Sequence, residues 1–106
     1  MKKLTILILS YRRAKYLDNL LNEIIQQLKI LGFPKNIHIY VRINPSSISY
    51  DFIYKKYKTF SFLSINENTQ NLGAYKSLIK SITEINSDYI WWIGDDDNIY
   101  PGALKS

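Results

Sequence analysis

The chain has 106 residues, which is enough for one hydrophobic core of ordinary size and too few for two. Hydrophobic residues make up 46% and charged residues 22%, which is the balance of a globular protein rather than a disordered one. There are no cysteines, which excludes disulfides, thiolate zinc sites and cysteine nucleophiles, and the net charge of +5 favours an anionic partner: nucleotide, nucleic acid or an acidic membrane surface. Because no apolar run approaches the roughly 18 residues that span a bilayer, we expect no transmembrane segment.

The first half of the chain alternates between strand and helix patterns. Residues 4–9, LTILIL, form an apolar run without strict alternation, which predicts a strand covered on both faces. From Lys15 to Leu31 the leucines and isoleucines recur at helical spacing, and Gly32 supplies a stop signal. Residues 37–43, IHIYVRI, predict a second strand.

The second half continues the alternation. The pattern predicts a short helix over residues 50–57 and a third strand over 60–65, FSFLSI. A fourth strand follows in DYIWWI, where Trp91 and Trp92 must point to opposite sides and both sides are expected to be covered. Between these strands, one helical face is formed by the apolar residues Leu72, Tyr75, Leu78, Ile79, Ile82 and Ile85.

Strands that alternate with helices predict an α/β fold, a Rossmann-like three-layer α/β/α sandwich with a mainly parallel sheet. In such sheets ligands bind beyond the carboxyl ends of the strands, near the point where the strand order reverses. The segments SYRR at 10–13, NPSS at 44–47 and GDDDN at 94–98 follow predicted strands. If the first and fourth strands are neighbours, SYRR faces the acidic segment across a crevice.

The acidic segment contains three consecutive carboxylates, Asp95, Asp96 and Asp97, directly after an apolar strand. Carboxylates are hard oxygen ligands that suit Mg²⁺ or Mn²⁺, and Mg²⁺ usually needs only one or two of them when a substrate phosphate completes its shell. A bound cation would also offset the repulsion between neighbouring charges. The alternative is a solvated turn or a helix cap without ligand.

Three segments together carry a resemblance to a known family: LTILILSYRRAKYLDNLL, NLGAYKSLIKSI and SDYIWWIGDDDNIYPGAL, in this order. They resemble the N-terminal, nucleotide-binding half of family 2 glycosyltransferases with the GT-A fold, and the last segment resembles that family's DxD region. The resemblance implies the strand order 3-2-1-4 and a nucleotide-diphosphate sugar as partner, usually a uridine diphosphate (UDP) sugar. It also implies Mn²⁺ or Mg²⁺ as cofactor and a glycan or lipid-linked acceptor in the full enzyme.

The resemblance assigns roles to residues after the first two strands. Ser10 and Tyr11 stand where the family's first loop contacts the base, and Arg13 matches a basic residue often found there, whereas Arg12 departs from the common asparagine. Asn44 stands near the family's aspartate for the base or ribose, and its amide can both donate and accept hydrogen bonds.

The resemblance also assigns roles to residues in the second half of the chain. Asn71 and Gly73 match the family's N-x-G turn, where glycine permits a close approach or an unusual backbone conformation. In the acidic motif, the resemblance favours Asp97 as metal ligand, with Asp95 as a second candidate, and Asp96 or Asp95 at the ribose.

The sequence also bounds what the chain does. We expect residues 1–106 to form a single domain that is truncated after the DxD region and therefore lacks the family's general base, so transfer by this chain alone is doubtful. A non-catalytic nucleotide-binding module is the alternative, and a metal-dependent phosphotransferase or receiver domain is disfavoured by the basic loop after the first strand. The sequence lacks the interleaved basic and aromatic residues of RNA-binding surfaces, so no nucleic-acid partner is expected. We expect a cytoplasmic location, with the inner face of the membrane as an alternative.

Overall fold

The computed structural model describes residues 2–95, which form a four-stranded sheet with helices on both faces. The elements in chain order are β1 (Leu4–Ser10), α1 (Ala14–Ile30), β2 (Ile37–Ile43), α2 (Asp51–Tyr57), β3 (Leu63–Glu67), α3 (Gly73–Glu84) and β4 (Tyr89–Gly94). The strand order is β3-β2-β1-β4, and each pairing is parallel. The predicted strand order and the Rossmann-like α/β architecture are therefore confirmed.

The hydrophobic core lies between α1, α2 and one face of the sheet. The leucines and isoleucines that α1 buries recur at the helical spacing expected from the sequence, and they pack against Ile6 and Ile8 of β1. On β2 the core residues are those at odd positions, from Ile37 to Ile43, because side chains alternate across a strand. After α1, Gly32 adopts a left-handed conformation with φ of 78°, which glycine tolerates without a steric penalty.

The third helix covers the opposite face of the sheet, and it does so with serines. Ser77 and Ser81 are its fully buried residues, and the Ser81 hydroxyl bonds to Arg42, which points away from the core. The apolar residues that recur at helical spacing do not form the buried side of α3, since Tyr75, Ile79 and Ile82 are exposed. Helices on both faces nevertheless give the three layers that were predicted.

The two tryptophans of β4 differ in their surroundings. Trp91 packs against the core, whereas 53% of Trp92 is exposed. Within residues 2–95, therefore, the expectation that both faces of β4 are covered is wrong.

The third strand begins later than predicted. It spans Leu63–Glu67, because Phe60 and Leu63 are first engaged in turns through their backbone amides, which donate to Tyr57 and Phe60. The rings of Phe60 and Phe62 pack 5.4 Å apart at the edge of the core, so this apolar pattern belongs to a turn that closes the core.

No helix in residues 2–95 has the length and apolar character required to cross a membrane. The longest, α1, has 17 residues and a polar side, whereas a spanning helix needs about 20 mainly apolar residues.

The topology creates a crevice at the carboxyl ends of β1 and β4. From β1 the chain progresses to β2 and β3 through α1 and α2, and it then returns across the other face through α3 to β4, beside β1. The direction of progression thus reverses between β1 and β4, which is where open parallel sheets leave room for ligands. Ser10 ends β1 and Asp95 directly follows β4, so both reach this crevice.

Candidate functional site

A cleft of about 320 Å³ lies at this switch point. Its lining combines residues from the ends of β1, β2 and β4 with the start of α3: Leu9, Ser10, Tyr11, Arg13, Asn44, Asn71, Gly73, Ala74 and Asp95. Apart from Leu9 and Ala74, these are residues for which the sequence predicts a binding role. Asp96 and Asp97, the other two predicted residues, lie outside the described part of the chain.

Asp95 is held between the strand ends and is only 6% exposed. The Ser10 hydroxyl donates to its Oδ2 at 2.9 Å, and the Arg13 Nη1 lies 3.7 Å from its Oδ1. A buried carboxylate needs such partners, because an uncompensated charge away from water is costly. Asp95, the first residue of the acidic motif, and the loop after β1 therefore meet at the same edge of the sheet.

The loop between β1 and α1 presents Tyr11 and Arg13 to the cleft. Arg12 has a positive φ of 61°, which turns the chain sharply before α1 begins. About half of the Arg13 side chain is exposed, and the Tyr11 ring is also exposed, so a ligand can reach both. The cleft thus combines a cationic group with an aromatic surface.

Tyr50 supports this loop from below, a role that sequence reasoning missed. Its hydroxyl lies 2.8 Å from the Ser10 hydroxyl and accepts a 3.1 Å hydrogen bond from the Arg13 backbone N–H. Its position in the connection after β2, at the carboxyl edge of the sheet, was a usable signal, but the sequence analysis placed it only at the start of the helix predicted over residues 50–57.

Asn44 lines the cleft, but its side-chain oxygen serves the protein itself. Its Oδ1 accepts hydrogen bonds from Asn68 Nδ2 at 2.6 Å, from Ser77 Oγ at 3.0 Å and from the Leu72 backbone N–H at 3.3 Å. Asn44 is also buried, and its side-chain oxygen is already engaged with these three donors. Its contact with a ligand stays a prediction, and this geometry limits such a contact to the amide nitrogen.

The amino end of α3 forms the wall opposite Asp95. The Asn71 side-chain oxygen accepts from the Gly73 backbone N–H at 2.9 Å, and Gly73 has a φ of 76°. No atom lies within 4 Å of the position that a Cβ would take at Gly73, so the backbone conformation, rather than space, favours glycine there. The first turn of the 12-residue α3 thus opens towards the cleft, and a helix N-terminus favours anions.

Behind that wall lies a buried arginine, which sequence reasoning also missed. The Arg42 guanidinium donates through Nε to Ser81 Oγ at 3.3 Å and through Nη1 to Asn68 Oδ1 at 3.2 Å. Its Nη2 bonds to the Tyr40 hydroxyl and to the Glu84 carboxylate. Since Asn68 in turn donates to Asn44, this network connects the middle of β2 with the rim of the cleft.

The same network shifts the titration of its members. Burial raises the pKa of Tyr40 to about 12, and the hydrogen bond to Glu84 acts in the same direction. The hydrogen bond from Tyr40, followed by the charge of Arg42, lowers the pKa of Glu84. Glu84 is therefore ionised and Tyr40 protonated near neutral pH, which leaves Tyr40 as the donor to Glu84.

Asp95 brings to the cleft a donor type that suits a hard divalent cation. Within residues 2–95 there is no group of three or more acidic, histidine or cysteine side chains that could hold a metal. Asp95 brings a carboxylate to the cleft, and the next two residues in the sequence, Asp96 and Asp97, carry the same group. Carboxylate oxygens are the ligands that Mg²⁺ and Mn²⁺ prefer, so these residues suit such a cation by their chemistry.

Comparison with known proteins decides the family. The family model described as glycosyl transferase family 2 matches residues 5–106. The chain belongs to glycosyltransferase family 2. A curated family relative, abequosyltransferase RfbV from Salmonella typhimurium, is 31% identical over 97 residues, which cover 90% of this chain and 28% of the relative.

Solved structures agree on the fold. TarS from S. aureus, residues 1–349, superposes with a TM-score of 0.80 at 24% identity, over 97% of this chain and 30% of that one. A complex of the same TarS fragment with UDP-GlcNAc gives a TM-score of 0.81. The mannosyltransferase PcManGT from Pyrobaculum calidifontis, in complex with GDP-Man and Mn²⁺, gives 0.75 at 15% identity, over 90% of this chain and 28% of that one. The chain spans less than a third of the length of each of these proteins.

Proposed function

We propose that this chain binds a nucleotide-diphosphate sugar together with Mn²⁺ or Mg²⁺ and that the full enzyme transfers the sugar to a glycan or lipid-linked acceptor. The observation that carries the proposal is the meeting of Ser10, Arg13 and Asp95 in one cleft at the switch point of the sheet. Family membership and the complexes of TarS with UDP-GlcNAc and of PcManGT with GDP-Man and Mn²⁺ support the same ligand class.

The walls of the cleft suit the two ends of a nucleoside diphosphate. The Arg13 guanidinium can pair with phosphate oxygens in a bidentate manner, and the amino end of α3 contributes a positive dipole on the opposite side. The exposed ring of Tyr11 offers an apolar surface for the base. UDP is the proposed nucleotide, in agreement with the UDP complex of TarS.

In this proposal the aspartates divide two tasks. Asp97 holds the cation, with Asp95 as second ligand, and Asp96 or Asp95 contacts the ribose. A cation bound there would act as a Lewis acid that stabilises negative charge on the leaving diphosphate. Asp95 additionally orients Ser10, because it accepts a 2.9 Å hydrogen bond from the Ser10 hydroxyl.

Calorimetry of the 106-residue chain with UDP, GDP and TDP, with and without Mn²⁺, tests the proposal. We expect UDP to bind in the presence of Mn²⁺ and Asp97→Ala to weaken that binding by at least about tenfold. Asp88→Ala is the matched control, because Asp88 is exposed at the opposite end of β4, where its carboxylate accepts from the Lys3 backbone. Binding that needs no metal and is unaffected by Asp97→Ala would remove Asp97 from the site.

A module that binds nucleotide without transferring sugar is the second candidate, because the polar groups that line the cleft are suited to binding a ligand. Product assays with radiolabelled nucleotide sugars separate the two. Nucleotide affinity without sugar transfer or donor hydrolysis supports the binding module, whereas a labelled product supports the transferase.

A further inference from the structure

The hydroxyl of Tyr50 contacts Ser10 and the backbone of Arg13 in the loop after β1, and through Ser10 it is connected to Asp95. Tyr50 is only 4% exposed, and its backbone carbonyl accepts from the amides of Ile53 and Tyr54 in the first turn of α2. Its ring belongs to the hydrophobic core. Both the backbone and the ring are therefore fixed, so the hydroxyl is held at a defined place beneath the loop after β1.

The hydrogen bonds at this hydroxyl can run in only one direction. Ser10 has a single hydroxyl proton, and it goes to the Asp95 carboxylate. The 2.8 Å contact between Ser10 and Tyr50 must then use the phenolic proton, while the Arg13 amide donates to the phenolic oxygen. The chain of donors runs from the Arg13 N–H to Tyr50, from Tyr50 to Ser10 and from Ser10 to Asp95.

We propose that Tyr50 is a positioning residue of the donor site, which sets the loop of Ser10 and Arg13 relative to Asp95. This inference rests on the proposed function, since it assigns a residue that supports the nucleotide-binding groups without touching the ligand. Groups that bind a ligand are effective when a surrounding shell of hydrogen bonds fixes them beforehand, because the ligand then need not order them. Without the phenolic proton, Ser10 loses the donor that fixes its rotamer, and the Arg13 amide loses its acceptor.

The test compares Tyr50→Phe with Tyr57→Phe in the 106-residue chain. Tyr57 is a matched control, because it is equally buried and its hydroxyl donates to Asp18 at 2.5 Å, away from the residues that line the cleft. We expect both variants to lower the thermal midpoint to a similar extent, since each loses buried hydrogen bonds. Only Tyr50→Phe should raise the Kd for UDP with Mn²⁺, by about tenfold. Equal Kd values for the two variants would overturn the positioning role.

A second readout needs no ligand. In the Tyr50→Phe variant the Arg13 amide should exchange its hydrogen with solvent faster than in the unaltered chain, whereas in the Tyr57→Phe variant it should not change. Unchanged Arg13 exchange in Tyr50→Phe would refute the contact on which the inference depends. If the unaltered chain binds no UDP, the proposed function fails, and the exchange measurement separately shows whether Tyr50 holds the loop.

Discussion

Replacing Arg42 by lysine tests whether the buried guanidinium fastens α3 to the sheet. The substitution keeps the positive charge, but an ammonium group is a compact donor that cannot reproduce the planar arrangement of the guanidinium. Arg42 donates to Ser81, Asn68, Tyr40 and Glu84, which surround it on different sides. A lysine at this position can serve some of these acceptors and leaves the others unpaired.

The expected loss follows from counting these contacts. Hydrogen bonds to a charged group contribute roughly 1.5–3 kcal/mol each. If lysine loses two of the four, the free energy of unfolding falls by about 3 kcal/mol, a large part of the total for a domain of this size. With a urea dependence of about 1.5 kcal/mol per molar, the midpoint of unfolding should fall by about 2 M.

Urea titration followed by tryptophan fluorescence provides the assay, since both tryptophans lie in β4. Arg12→Lys is the control, because Arg12 is an exposed loop residue and the same substitution there should shift the midpoint by less than about 0.3 M. A midpoint for Arg42→Lys within about 0.5 M of the unaltered chain would show that the network does not hold α3, and the reasoning would be refuted.

Two further predictions concern the same wall of the cleft. Glu84→Gln should lower the free energy of unfolding by about 1 kcal/mol at neutral pH, a value reduced because 43% of the Glu84 side chain is exposed. The hydrogen bond from Tyr40 lowers the pKa of Glu84 in the folded state. The stability that Glu84 contributes is therefore present above its unfolded pKa and is lost as the pH falls through its folded pKa. Urea titrations of the variant and the unaltered chain should differ at neutral pH and agree in acid. Gly73→Ala and Gly32→Ala should each lower the free energy of unfolding by about 1 kcal/mol, because both glycines have φ near 77° with open space around them. Only Gly73→Ala should also weaken UDP binding. Equal UDP affinity of the two variants in calorimetry would contradict a role for Gly73 in the cleft.

The sequence was most informative where apolar periodicity and topology act together. The leucines of α1 recur at helical spacing, and the chain buries them as expected. Because the carboxyl ends of parallel strands share one edge, the position of Ser10 and Asp95 followed from the strand order that the family resemblance implies. Asn71 and Gly73, which the resemblance assigns to an N-x-G turn, lie at the start of α3.

The polar packing between β2 and α3 could not be predicted from apolar periodicity and topology. His38, Tyr40 and Arg42 alternate with apolar residues in β2, a pattern that usually indicates one solvated face. In this protein α3 covers that face with Ser77 and Ser81, and the buried polar groups satisfy one another. Whether a polar face is solvated or covered depends on pairings between distant residues, which the periodicity of one segment does not contain.

The two missed residues explain how a small sheet holds its cleft open in a fixed shape. Tyr50 acts from the layer of α1 and α2 and reaches the loop after β1, whereas Arg42 acts from the layer of α3 and reaches Asn44 through Asn68. Each wall is therefore anchored in a different layer of the sandwich, and the hydrogen bonds that are described for the two anchors share no residue. Substitutions at separate, non-contacting sites usually act additively. It follows that a loss of nucleotide affinity in a Tyr50 variant reports on the β1 loop and Asp95, and a loss in an Arg42 variant reports on the start of α3.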